Sequence, residues 1–154
     1  MLPLVASRRD DLVALFDFGW QRFATRMDGL TDDEWRWTPT ADDRVSLRWR
    51  LAHITAFLTE DRNWPWLGLP PARWEAPEPE SAEEAITTLG EAYVAWCGAL
   101  SLTTEESLAE RIGDVAGRYG TDSRYAFALH IVDELIHHTA EAALLRDLHA
   151  GRAA

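Results

Sequence analysis

The residues best suited to chemistry lie near the carboxyl end of the sequence, where Glu134 and His138 are four positions apart. On an α-helix this spacing places a carboxylate and an imidazole on one face, ~6 Å apart along the axis. A carboxylate oxygen and an imidazole nitrogen placed in this way can bind one cation together. Without a cation, the same two side chains would form a buried ion pair that fixes the packing of the helix.

A third metal ligand has to come from another helix, because His130 lies two turns away from His138. His53 is the candidate, since its neighbours from Leu51 to Leu58 include almost no other polar side chain. A histidine in such a stretch is either a core residue hydrogen-bonded to a carbonyl or a ligand. We therefore predict a metal site formed by His53, Glu134 and His138, with a structural hydrogen-bond network as the alternative.

Two neighbouring residues are predicted to take part in catalysis. Glu141 follows His138 by three positions and is interpreted as a general base or as a hydrogen-bond acceptor for a metal-binding histidine, with a fourth ligand as the alternative. His137 lies about 60° around the helix from Glu134 and is interpreted as a flanking residue that can carry a proton, or as a substitute ligand. His130 and His149 are expected to lie outside the site.

These polar residues occupy the middle of a seam along the last predicted helix, which runs from about Asp122 to Ala150. The seam advances by four and three residues in turn through Phe127, Ile131, Glu134, His138, Glu141, Leu145 and Leu148. Its two ends are apolar, as the core of a helical bundle requires. Burying a carboxylate or an imidazole without a partner is costly, so the polar middle predicts that these groups bind one another or a metal.

Three other long helices are predicted, over about residues 7–28, about residues 46–62 and from Ser81 to about residue 99. Each repeats apolar residues at helical spacing, and glycine- or proline-bearing stretches separate them. Capping boxes are predicted at Thr31-Asp-Asp-Glu34 and Ser81-Ala-Glu-Glu84, and residues 103–106 predict a short helix that ends near Gly113.

The prolines from Pro65 to Pro79 predict a long extended connection between the second and third long helices. Its tryptophans are interpreted as packing residues, with a pocket lid as the alternative. No segment shows the alternation of a β-strand. The predicted fold is therefore an all-α four-helix bundle with a long crossover and short extra helices, in a single domain over residues 1–154.

The composition limits the classes of partner. The chain has 154 residues, 47% of them hydrophobic, and eight tryptophans, which is sufficient for a core without disulfides. Cys97 is its only cysteine and is interpreted as a small core residue.

The net charge of −11 argues against nucleic acid or an anionic membrane as partner. No apolar stretch approaches a membrane span of ~20 residues, and the amino terminus does not resemble a signal peptide, so a cytoplasmic location is expected.

The segments SLRWRLAHI (residues 46–54) and DELIHHTAEAALLRDL (residues 133–148) resemble the DinB/YfiT-like family of metalloenzymes. The segment from Gly29 to Glu34, followed by Trp37-Thr-Pro39, is also similar to that family. The likeness extends over most of the chain. In such proteins the site usually consists of three histidines, one from the second helix and two that are four residues apart on the last helix.

The resemblance implies a metal site in which His53 and His138 match two of the three histidines, while Glu134 stands at the third position. Two imidazoles and a carboxylate suit zinc with an open coordination position, and equally suit nickel, iron or manganese. Family members with an assigned role resemble transferases and isomerases that use low-molecular-weight thiols such as mycothiol or bacillithiol.

The resemblance therefore implies a metal-dependent thiol S-transferase that acts on a small electrophile. A metal-dependent hydrolase, or a non-catalytic metal-binding bundle associated with stress, is the alternative. Homodimers are common among such proteins, so a homodimer is expected.

Overall fold

The computed structural model describes residues 6–152, and the helical segments in this range confirm the all-α class. In chain order they are α1 (Arg8–Met27), α2 (Asp32–Arg36), α3 (Leu47–Thr59), α4 (Asn63–Trp66), α5 (Ala82–Ser101), α6 (Glu105–Ala109), a 3₁₀ helix (Asp114–Tyr119) and α7 (Arg124–Gly151). A single isolated bridge, between Arg111 and Ser123, is the only β pairing in this part of the chain. Between residues 6 and 152, no helix is both long and apolar enough to cross a membrane.

Serine and threonine side chains cap most of the helices. The capping box predicted at Thr31 is present, because the Thr31 and Glu34 side chains each accept a hydrogen bond from the other's backbone N–H. The Ser81 side chain caps α5, but the Glu84 carboxylate accepts from the backbone N–H of Glu80. The predicted start of the short helix was one residue early, since Thr104 is the cap, and the helix ends at Ala109 rather than near Gly113.

Four long helices form the core, and their contacts determine which residues can meet. Helix α3 packs against both α5 and α7, and α1 packs against α7. Helices α1 and α7 run parallel, since Gly19 faces Ile136 and, further along both helices, the Arg26 side chain donates to the carbonyl of Ala143. Trp96 of α5 is fully buried and packs against Phe16 of α1, with ring centroids 5.6 Å apart.

Helix α3 is shorter than predicted, because the chain leaves the helical conformation at Glu60 rather than continuing to Arg62. Asn63 is completely buried, and its Nδ2 donates to the carbonyl of Phe57 at 2.8 Å. This bond satisfies a carbonyl that the helix end leaves without an internal partner. Pro65 lies in the first turn of α4, where the N–H that it lacks is not needed.

The buried stripe of α7 departs from the predicted seam. The two share Phe127, Ile131 and Leu145, but where the seam has Glu134, His138 and Glu141 the buried residues are Leu135, Thr139 and Ala142. The polar middle of the seam therefore lies at the edge of the core. The prediction that Leu148 is a core residue was wrong, since it is 52% exposed. A strict seven-residue repeat drifts ~20° per heptad around a straight helix, so three heptads carry the seam away from the core.

Cys97 lies half-buried on α5 and packs against the core, in agreement with its interpretation as a packing residue. Burial raises the pKa of its thiol, and the hydrogen bond with Tyr93 offsets this only in part. The protonated thiol that results is a poor nucleophile.

Candidate metal centre

Helices α3 and α7 bring the three predicted ligands together. His53, Glu134 and His138 each offer one ligand atom, and these atoms all lie within 4.8 Å of one another. The rings of His53 and His138 meet edge to face, with centroids 4.5 Å apart. His138 Nε2 lies 3.2 Å from Glu134 Oε2. Residues from distant parts of the sequence therefore converge on one small volume.

The surroundings of His53 argue against a core histidine that hydrogen-bonds to a carbonyl. Its ring stacks on Trp49 at 4.6 Å and meets the edge of Phe57 at 5.8 Å. No hydrogen bond among residues 6–152 engages either of its ring nitrogens. Burial lowers the pKa of His53, and the charge of His138 lowers it further against the opposing effect of Glu134. The neutral imidazole that this favours is the form that binds a metal.

The contact of His138 with Glu141 is shorter than its contact with Glu134, which favours a proton on Nδ1 rather than on Nε2. Burial alone would raise the pKa of Glu141, but the hydrogen bond with His138 and the charge of Arg50 hold that pKa below its usual range. Glu141 is therefore ionised at neutral pH, and its Oε2 can accept a hydrogen bond from His138 Nδ1, which lies 2.8 Å away. In the neutral ring, Nε2 then carries a lone pair on the side of Glu134 and His53.

This arrangement fits a divalent metal. A lone pair on His138 Nε2 and a carboxylate oxygen of Glu134 repel each other at 3.2 Å unless a cation lies between them. That cation is either a metal ion or a proton, and the proton would make His138 an imidazolium that pairs with both carboxylates. Two nitrogen donors and one oxygen donor are a ligand set that zinc and other divalent transition metals accept.

Arg50 is a residue of the site that the sequence interpretation missed. Its Nη1 lies 3.0 Å from Glu141 Oε2, and its guanidinium lies over the ring of Trp49 at 5.0 Å. Arg50 precedes His53 by three positions, so helical spacing alone places the two side chains on one face of α3. That spacing is the signal that identifies Arg50 as a neighbour of the site.

The other histidines differ in how close they lie to this centre. His137 is exposed at the rim, and its Nε2 lies 2.9 Å from Glu141 Oε1. A second group of possible metal ligands consists of His137, His138 and Glu141, and it shares His138 with the first. His149 is remote from the site and meets the edge of Trp37, whereas His130 lies one turn before Glu134 and is exposed.

The site is open to solvent on one side, because the side chain of His138 is 12% exposed and those of Glu134 and Glu141 are 32% and 34% exposed. Two cavities are lined by neighbours of the predicted ligands, although not by the ligands themselves. One of about 500 Å³ is lined by Trp49, which stacks on His53, together with Arg36 and Arg48. The other, of about 350 Å³, is lined by residues that include Phe127 and His130.

A family model described as the DinB superfamily matches residues 15–142, a range that contains His53, Glu134, His138 and Glu141. No curated protein matches the chain, and neither does any solved structure. The family match covers most of the sequence and confirms the resemblance seen in its motifs. The chain belongs to the DinB superfamily.

Proposed function

We propose that this DinB-superfamily chain binds one divalent metal ion through His53, Glu134 and His138, with zinc as the first candidate, and acts as a thiol S-transferase on a small electrophile. The observation that carries the metal is the orientation of His138. Glu141 accepts a hydrogen bond from Nδ1, which leaves Nε2 facing Glu134, beside the unpaired ring nitrogens of His53.

A divalent cation in this position would lower the pKa of a thiol or water that reaches it, so that a nucleophile is available near neutral pH. The protein's own residues orient the ligands and move the proton. Glu141 fixes the ring of His138, and Arg50 holds Glu141 ionised. His137 is exposed and contacts Glu141, so it can accept the proton of an incoming thiol and pass it to solvent.

The two cavities beside the site favour a reaction between two organic substrates. The cavity at Trp49 has charged side chains in its wall, namely Arg36, Asp43, Arg48 and Glu78, and its arginines suit the carboxylates and hydroxyls of a thiol such as mycothiol or bacillithiol. The cavity at Phe127 leaves room for a second molecule. A hydrolase, the alternative, needs only one organic substrate and water.

Metal binding is tested first, on protein purified without an affinity tag. Elemental analysis, followed by titration with Zn²⁺, Ni²⁺, Fe²⁺ and Mn²⁺, should give one equivalent of metal per chain. His53→Ala should abolish binding, whereas His149→Ala, which changes a histidine remote from the site, should leave it intact. Wild-type protein that contains no metal and takes up none would refute the proposal.

The reaction is tested on the metal-loaded protein with a panel of low-molecular-weight thiols and electrophiles, by chromatographic detection of conjugates. Ester and amide hydrolysis are measured in parallel. Metal-dependent conjugate formation supports the transferase, and hydrolysis without conjugation would favour the hydrolase. If neither reaction occurs and the metal still stabilises the fold, the non-catalytic stress-associated bundle is favoured. The homodimer stays a prediction, which size-exclusion chromatography with light scattering can test.

A further inference from the structure

The cavity of about 350 Å³ lies where α4, the 3₁₀ helix and the first turns of α7 meet. Its walls include Arg62, Trp66, Tyr119, Asp122, Phe127 and His130. The volume lies within the range of cavities that bind small molecules, and aromatic side chains dominate the wall, as is typical of such sites.

This cavity opens beside the candidate metal centre. Helices α3 and α7 run antiparallel, since His53 meets His138 while Arg62, just beyond the end of α3, lies over Phe127 near the start of α7. His130 precedes Glu134 by four residues, so the two side chains are neighbours on successive turns of α7. A molecule in the cavity therefore lies about one helical turn from the predicted ligands.

The walls of the cavity select for a flat, uncharged group. The ring of Trp66 lies 5.0 Å from that of Phe127 and 6.0 Å from that of Tyr119, so three aromatic rings line one space. The guanidinium of Arg62 lies over Trp66 at 4.8 Å, and its charge is already balanced by Glu60 at 2.6 Å. Asp122 adds a negative charge to the wall, so the cavity has no surplus positive charge for an anion.

We propose that this cavity binds the electrophilic substrate and that this substrate is a flat, uncharged aromatic molecule. Its identity as the electrophile rests on the thiol S-transferase proposed above. Binding of the aromatic group itself needs only the cavity and no metal. The two proposals can therefore be tested separately.

The binding test uses 2,4-dinitroaniline, a flat aromatic probe that does not react with thiols, and the metal-free protein. Isothermal titration calorimetry, together with the NMR signal of the Trp66 indole N–H, should detect binding to the wild type. Ala126 is exposed and lines the cavity, so Ala126→Trp should fill the space and weaken binding at least 10-fold. Ala140→Trp is the matched control, because Ala140 is also exposed but lies ~21 Å further along the same helix.

A second pair of variants does not depend on adding bulk. Tyr119→Ala should weaken binding, whereas Tyr119→Phe, which keeps the ring, should bind like the wild type. Absence of binding to the wild type, or equal binding by Ala126→Trp and Ala140→Trp, would overturn the assignment of the cavity.

The reaction test uses 1-chloro-2,4-dinitrobenzene and a thiol with the metal-loaded protein. The thiolate sulfur forms a bond to the ring carbon that carries chlorine, chloride leaves, and the thiol proton passes to solvent. Ala126→Trp should raise KM at least 10-fold at unchanged metal content, and Ala140→Trp should not. If the probe binds in the cavity and no electrophile of this class is conjugated, the substrate assignment fails, while the cavity stands as an aromatic-binding site and the wider panel of electrophiles decides the transferase.

Discussion

At the scale of single residues, the chemistry of the site depends on the ring orientation of His138. Glu141 contacts His138 Nδ1 and Arg50, and the hydrogen bond with His138 and the charge of Arg50 hold the pKa of Glu141 below its usual range. A carboxylate that accepts a hydrogen bond from the N–H of a ligating histidine orients the ring and increases the basicity of the other ring nitrogen. Glu141 and Arg50 would therefore support the proposed metal without either of them needing to contact it.

We predict that Glu141→Gln weakens metal binding by about 10- to 100-fold, because the amide loses the negative charge that strengthens His138 as a ligand. Competition against a chelator of known affinity measures this change. Glu91→Gln, an exposed substitution of the same type on α5, is the control and should bind like the wild type. Unchanged affinity in Glu141→Gln would show that the carboxylate does not support the site.

At the scale of helices, one arginine joins three elements. Arg146 of α7 donates from Nε to Glu34 Oε1 at 2.9 Å and from Nη1 to the carbonyls of Arg26 at 2.7 Å and Asp28 at 2.5 Å. Those carbonyls lie at the end of α1, where the helix offers no partner. Glu34 also accepts from the backbone of Thr31 in the capping box of α2. The contact therefore fixes α7 against the α1–α2 turn.

The ion pair predicts a pH-dependent stability. Burial alone would raise the pKa of Glu34, but the hydrogen bonds from Arg146 and Thr31 outweigh it and lower that pKa. A carboxyl group whose pKa is lower in the folded state than in the unfolded state stabilises the fold in full above its unfolded-state pKa, which is ~4.3 for a glutamate. This contribution shrinks below that pH and is lost as the pH falls through the folded-state pKa. Glu34→Gln should lower the free energy of unfolding by about 1–3 kcal/mol at pH 7.

Urea unfolding at pH 7, 5 and 3.5 measures this effect. The difference between wild type and Glu34→Gln should persist at pH 5 and shrink at pH 3.5, which lies below the unfolded-state pKa of ~4.3, because the unfolded wild type then takes up a proton at Glu34. Glu91→Gln should unfold like the wild type at each pH. A difference that stays constant from pH 7 to pH 3.5 would mean that the charge of Glu34 contributes nothing.

The sequence predicted the features that depend on local chemistry or on helical spacing. The Thr31 cap and the common face of Glu134 and His138 belong to this group. The end of α3 was missed, because it depends on a buried side chain of Asn63 that reaches back to the Phe57 carbonyl. The exposure of Leu148 was missed because the period of the seam was taken as 3.5 residues, while a straight helix has 3.6. Arg50 was missed because a long side chain takes its direction from its tertiary partner, Glu141.

At the scale of the whole molecule, the candidate metal centre joins two helices that are far apart in sequence. His53 lies in α3 and the other two predicted ligands lie in α7, with the crossover, α5 and α6 between them. The unfolded chain would hold His53 far from Glu134 and His138, so a metal ion should bind the folded state much more tightly. The net charge of −11 adds a general attraction for a cation, although it does not select the site.

We therefore predict that a bound divalent metal raises the melting temperature, whatever reaction the protein catalyses. A ligand at 100 times its Kd that binds only the folded state adds ~2.7 kcal/mol of stability. For a chain of this length, that increment corresponds to a rise in melting temperature of about 5–10 °C.

Differential scanning calorimetry with Zn²⁺ and with EDTA should show this difference in the wild type and in His149→Ala. It should be absent in His53→Ala, because the predicted site then keeps only Glu134 and His138. An equal shift in His53→Ala would mean that the metal binds elsewhere, for example at His137, His138 and Glu141, and does not join α3 to α7.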